Sequence, residues 1–131
     1  MQTPRVLQEI DSLPALSTRR PFGVTALTTS AATILAARDD ADFRIEAMVI
    51  SNVTGSAQTV TVHIVPDGDT AAAANAIAFQ RSVAANDVLR LFDATNTGLV
   101  PPSSTVQALA GANAALNIWG HGVDYQGEFT T

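Results

Sequence analysis

The chain contains no cysteine, which excludes disulfide staples, thiolate metal sites and cysteine nucleophiles. Lysine is absent as well, so all seven basic residues are arginine. That bias suits bidentate contacts at an interface, and a GC-rich genome with its alanine enrichment produces the same bias. The arginines are scattered and outnumbered by twelve acidic residues, for a net charge of -5. A nucleic acid or an anionic membrane requires a basic patch, so neither is an expected partner. No apolar run approaches the length of a transmembrane helix. The stretch MQTPRVLQEIDSLPAL lacks a continuous apolar segment and carries acids within its first eleven residues, so it does not read as a secretory signal.

Charge is scarce overall. Charged residues make up 15% and hydrophobic residues 47% of a 131-residue chain, enough to bury one core without staples. A free monomer usually carries more surface charge, so part of this surface is expected to lie under partners. Aromatics reach only 5%. Phe22, Phe43, Phe79, Phe92, Phe129, Trp119 and Tyr125 are too dispersed for a stacking platform and read mostly as core. Trp119 and Tyr125 are also candidate interface anchors, because both residue types are enriched at contact hot spots.

Residues 1–21 stand apart as an extended arm, punctuated by Pro4, Pro14 and Pro21 and closed by Arg19-Arg20-Pro21. Val6, Leu7 and Ile10 would share one face of a short helix over 6–12, which Pro14 would stop. Together with Leu13 and Leu16 they are too few to make a core of their own and need a surface to dock on. Arg19 and Arg20 join these five as candidate partner-binding residues.

Residues 22–131 carry the rhythm of short strands and turns that marks an all-β domain. The expectation is a single antiparallel β-sandwich, jelly-roll-like, of about eight strands. Strands are predicted over 24–28, 33–37, 43–53, 57–65, 77–83, 88–92, 105–110 and 114–119, the last continuing through the glycines at 120, 122 and 127. In the clearest strand Phe43, Ile45, Ala47, Val49 and Val53 alternate onto one face, with Val49 central to the core. Arg44, Glu46, Met48, Ile50 and Asn52 take the other face, which turns apolar at Met48 and Ile50, as in a strand covered on both sides. Thr54-Gly55-Ser56 reads as a hairpin turn. A second hairpin is expected around 84–87, with Ile77, Phe79 and Val83 against Leu89 and Leu91, and a third around 111–113. Residues 93–104 read as an irregular crossover, since Pro101-Pro102 forbids central strand pairing.

Groups capable of catalysis are sparse. His63 lies on the polar face of its strand and reads as a surface or interface side chain. His121, between two glycines, is the stronger functional candidate, although neither histidine has metal-binding spacing. Asp39-Asp40-Ala41-Asp42 and Asp67-Gly68-Asp69 sit where acidic turns are common and lack the EF-hand spacing, so solvated loops are preferred to calcium sites. Glu46 is the lone strand carboxylate, and no Gly-x-Ser-x-Gly elbow supports a triad. Asn52-Val53-Thr54 matches a glycosylation sequon but reads as a strand end. No catalytic residue, metal or cofactor is expected.

The run from Ile45 through Asn52-Val53-Thr54-Gly55-Ser56 to Val62, then Ile64-Val65-Pro66-Asp67-Gly68 and Ala74-Asn75-Ala76, resembles the small β-sandwich structural proteins of tailed bacteriophages. In that group a strand ending in Ser-Asn or Cys-Asn enters a Thr-Gly-Ser turn, and the next strand alternates Val and Thr. The likeness spans Thr28 to Trp119 and leaves out the arm. It implies a non-enzymatic virion component, with a capsid decoration or cement protein bound through its arm as the first expectation. Neck, tail or baseplate accessory proteins come second, and a receptor- or carbohydrate-binding module third. Its expected partners are other virion proteins, the major capsid protein or neck and tail proteins, and copies of itself, a trimer being a common decoration state.

Overall fold

The computed structural model describes residues 17–126. Nine strands form two antiparallel sheets: β1 Ser17–Val24, β2 Ala32–Ala36, β3 Ala41–Asn52, β4 Gln58–Val65, β5 Ala76–Val83, β6 Val88–Phe92, β7 Gly98–Val100, β8 Thr105–Ala110 and β9 Leu116–Gln126. One sheet has the order β1-β9-β3-β6, with β7 also pairing with β3, and the other has the order β2-β8-β4-β5. The chain changes sheet between most successive strands, which gives the order of a jelly roll, with β7 as an extra fifth strand in the first sheet. The expected all-β sandwich is therefore the observed architecture.

That order corrects the expected hairpins. β3 and β4, β5 and β6, and β8 and β9 lie in different sheets, so the turns at 54–56, 84–87 and 111–113 are arches between layers. The same small polar residues serve both kinds of turn, because both reverse the chain within a few residues. At the first arch the buried Asn52 makes the crossing. Its Nδ2 donates to Ser56 O at 2.8 Å and to Val83 O at 3.0 Å, while its Oδ1 accepts from the Thr54 N–H and hydroxyl at 2.9 and 2.8 Å. Asn52 is 3% exposed, so the sequon is closed to modification in the folded chain.

The second correction concerns β3. Ile45 pairs with Gly122 and Ala47 with His121, so Glu46 is an extra residue, a β-bulge. Before it Phe43 and Ile45 point into the sandwich, and after it Met48, Ile50 and Asn52 do. Strict alternation would have put Ala47 and Val49 inside, but both face outward and are half-buried, and Val53 is exposed. Similarly, β5 carries irregularities in its pairing with β4. Gln80 adopts φ 48° and donates its N–H to Thr61 Oγ1, which turns Ile77 and Phe79 out to solvent while Ala78 and Val83 stay buried.

The core between the sheets is built from Phe22, Phe43, Ile45, Met48, Ile50, Leu116 and Ile118 on one side and Val60, Val62, Ala78, Val106 and Ala108 on the other. Two glycines make room for its aromatic rings. A Cβ at Gly120 would collide with the Ala47 carbonyl and the Phe22 ring, and one at Gly122 with the Arg44 carbonyl and the Phe43 ring. The rings of Phe22 and Phe43 meet edge to face at 6.0 Å.

His63 also departs from expectation. It is buried at 4% exposure, and its Nδ1 lies 3.0 Å from both Ala72 O and Asn75 Oδ1. Two acceptors at one nitrogen place the proton on Nδ1, and the contact ties the loop after β4 back across that strand.

The bulge sets opposite expectations for adjacent residues. Ile50→Asp should unfold the domain by leaving an unpaired carboxylate in the core. Val49→Asp should lower stability by no more than about 1 kcal/mol, as at a solvent-facing site. Thermal melts of the two variants check this, and a larger loss for Val49→Asp would return β3 to strict alternation.

Candidate interaction face

β1 begins at Ser17 and pairs with β9 over its full length, so the expected boundary at 21/22 falls inside a strand. This separates the two candidate arginines. Alternation along β1 sends Arg20 inward and Arg19 outward. Arg20 holds the buried Asp124 with two bonds, Nε at 2.7 Å and Nη2 at 3.1 Å, donates also to Ala36 O at 3.1 Å, and lies over the Phe43 ring at 5.0 Å. Asp124 is 2% exposed. Arg20 thus closes the seam between β1 and the end of β2 and is a structural residue, not a free partner contact. Pro21 sits on the sheet edge, where its missing N–H is tolerated.

The outer face of the β1-β9-β3-β6 sheet gathers residues far apart in sequence. The bulge sends the Glu46 side chain outward beside β9. Its Oε1 accepts from Arg19 Nη1 at 3.1 Å and lies 3.7 Å from His121 Nδ1. His121 meets the Trp119 ring edge to face at 5.9 Å, and Arg44 covers the Tyr125 ring at 5.1 Å. Arg19, Glu46, Trp119, His121 and Tyr125, all singled out in the sequence, therefore share one surface. Val6, Leu7, Ile10, Leu13 and Leu16 lie outside the described residues.

Sequence reasoning missed Arg44, Val88, Arg90 and Leu99 as members of this face. Val88, Leu99 and Trp119 expose 46, 57 and 57% of their surface, and the pairings Ser51 with Val88 and Arg44 with Leu99 place the first two on the outer side. Only β7, which lies within the expected crossover, could have signalled Leu99. Between β3 and β6 the face dips into a groove of about 530 Å³. Ala47, Val49 and Phe92 line it with apolar surface, while Arg44, Arg90 and Asp93 supply charge. The hydroxyl and amide of Thr95 bond Asp93 and hold its carboxyl below the ordinary value, with Arg90 acting in the same direction.

This surface suits contact better than chemistry. Arg19, Arg44 and Arg90 balance Asp42, Glu46 and Asp93, in a chain whose net charge is -5. Exposed Trp and Arg, here beside a half-buried Tyr125, are side chains that anchor protein contacts. The acidic turns do not converge: Asp40 pairs with Arg38 at 3.0 Å, and no group of three metal-ligating side chains occurs among the described residues. Among those residues no helix is long and apolar enough to cross a membrane.

No protein-family model matches the chain, and no curated protein matches it. Among solved structures, the fold is similar to a chain described under "Bacillus endospore appendages form a novel family of disulfide-linked pili", with a TM-score of 0.53 and 18% identity over 84% of this chain and 88% of that one. A chain of infectious bursal disease virus, Gx strain, has a TM-score of 0.47 and 12% identity over 84% of this chain and 34% of that one.

The two arginines provide a paired measurement. Arg20→Ala should cost about 3–5 kcal/mol, because it strands the buried Asp124 charge. Arg19→Ala, which removes an exposed partner of Glu46, should cost at most about 1 kcal/mol. Denaturant unfolding of both variants compares them, and equal losses would contradict the inward orientation of Arg20.

Proposed function

We propose that this chain is a non-enzymatic structural subunit of a virion, a decoration protein that coats the assembled capsid shell of a tailed bacteriophage. It would bind through residues 1–16 and through the outer face of the β1-β9-β3-β6 sheet. The observation that carries this reading is that face. A chain of net charge -5 repels its own copies, and here arginines and carboxylates balance around an exposed Trp119 and Leu99. Such a surface can pack against a neighbour without like-charge repulsion. The phage assignment rests on the resemblance of the Asn52 arch and the Val/Thr-alternating β4, and the Asn52 hydrogen bonds give that motif a structural purpose. Major capsid protein, or neck and tail proteins in the accessory variant, would be the partners, with copies of this chain arranged symmetrically about them.

A second reading, a subunit of a cell-surface appendage, is favoured by the shared fold with the Bacillus appendage chain. Its joints could not be disulfide-linked through this chain, which has no cysteine.

Cryo-electron microscopy of particles carrying the chain separates the readings. Density over the shell supports decoration, density at the neck or tail supports the accessory variant, and density along a filament supports the appendage. Absence from every particle overturns the proposal. Trp119→Ala should weaken binding to the assembly at least tenfold, a hot-spot loss of about 2 kcal/mol, with an unchanged melting temperature. Undiminished binding would remove this face from the contact.

A further inference from the structure

We infer that Pro21 guards the one edge of the sandwich able to accept a further strand, so that copies of this chain meet through their faces and not by strand addition. Such a guard serves a shell and a filament alike.

A sheet edge presents a row of unpaired N–H and C=O groups that another chain can use as a template. The two sheets end in four edges, formed by β1, by β6 with β7, by β2 and by β5. Three of them are interrupted. β6 and β7 have five and three residues and are parted by the connection over 93–97. β2 has five residues, with a shift of register between Thr33 and Leu35. The pairing of β5 shifts twice, and its Gln80 adopts φ 48°. Short strands and bulges leave no straight row of groups to pair with.

β1 has no such interruption. It pairs with β9 over eight residues without a shift, and among the described residues no backbone bond reaches its other side. Thr18, Arg19, Pro21 and Gly23 are exposed. In an antiparallel ladder successive residues turn their N–H and C=O alternately towards and away from the partner strand. Pro21 lies opposite His121 and has no N–H to give β9, so its nitrogen faces the open side. The backbone groups of Ser17, Arg19 and Gly23 face the same way by alternation. An incoming strand would therefore meet a pyrrolidine ring in place of a donor in the middle of the row. That leaves it two residues on one side of the ring and one on the other.

The proline can be removed and then moved. Pro21→Thr in the full chain restores the missing donor with a good strand former. It should tighten self-association at least about tenfold, because main-chain bonds supply the affinity of an added strand. Arg19→Pro combined with Pro21→Thr should return association to the wild-type level, since the nitrogen at 19 faces the open side and a ring there spares the ladder with β9. Sedimentation equilibrium measures the association, and hydrogen exchange locates it: the amides of Arg19 and Gly23 should slow in associated Pro21→Thr and stay fast in the wild type. Thermal melts confirm that each variant is folded, and Pro21→Val repeats the test should the threonine variant fail to melt cooperatively. Association no tighter than wild type in a folded Pro21 variant overturns the guard, as does tighter association that leaves the amides of Arg19 and Gly23 fast. Slow exchange at those two amides in the wild-type chain overturns it as well, because the edge would already be taken. Binding of the wild-type chain to particles is measured separately, so failure of the guard and failure of the virion reading are told apart.

Discussion

The extra residue in β3 is the constraint on which both the inside and the outside of this molecule depend. A strand has only two faces, so one added residue exchanges them for everything that follows. At Glu46 that exchange places Met48, Ile50 and Asn52 in the core and Ala47 and Val49 on the outer face. The same residue, released from the ladder, turns its carboxylate towards Arg19 and His121. Without the bulge the lining of the groove would be core and the buried arch residue Asn52 would face solvent.

Downstream of the bulge, the two layers are joined by polar contacts at their margins, because the apolar core itself is non-directional. Asn52 binds the arch between sheets to the end of β5. Arg20 and Asp124 close the opposite seam between β1 and β2. His63 fastens the long loop across β4. Each is buried or half-buried and fully partnered, and no buried side-chain nitrogen or oxygen among the described residues lacks a partner. Such contacts add modestly to stability but fix which strands lie opposite which.

The sequence made the fold class legible, because period-two alternation and regularly spaced turns have few other solutions. Most strand positions followed from the same signal. The connectivity did not, since Thr54-Gly55-Ser56 and Gly111-Ala112-Asn113 can reverse a chain within a sheet or between sheets. The faces of β3 and β5 were misread for another reason: a bulge leaves no mark in an apolar pattern, and both Val49 and Ile50 look buried in isolation. Pairing Arg19 with Arg20 as equals failed because β1 started earlier than Pro21 suggested, and alternation then sent one inward. Trp119 and Tyr125 were legible from residue type alone, whereas Arg44, Arg90 and Leu99 became visible only once β6 and β7 were seen flanking β3.

The pairing of β1 also fixes how the domain carries mechanical load. Tension applied at Ser17 along the axis of β1 would run parallel to its ladder with β9. In that geometry the eight residue pairs are strained together in shear and cannot open one at a time as in peeling. The guanidinium of Arg20, held by Asp124 and the Ala36 carbonyl, acts as a latch midway along the strand. A load entering at Ser17 in that direction would therefore pass into the whole sandwich through β9 before β1 could leave its place.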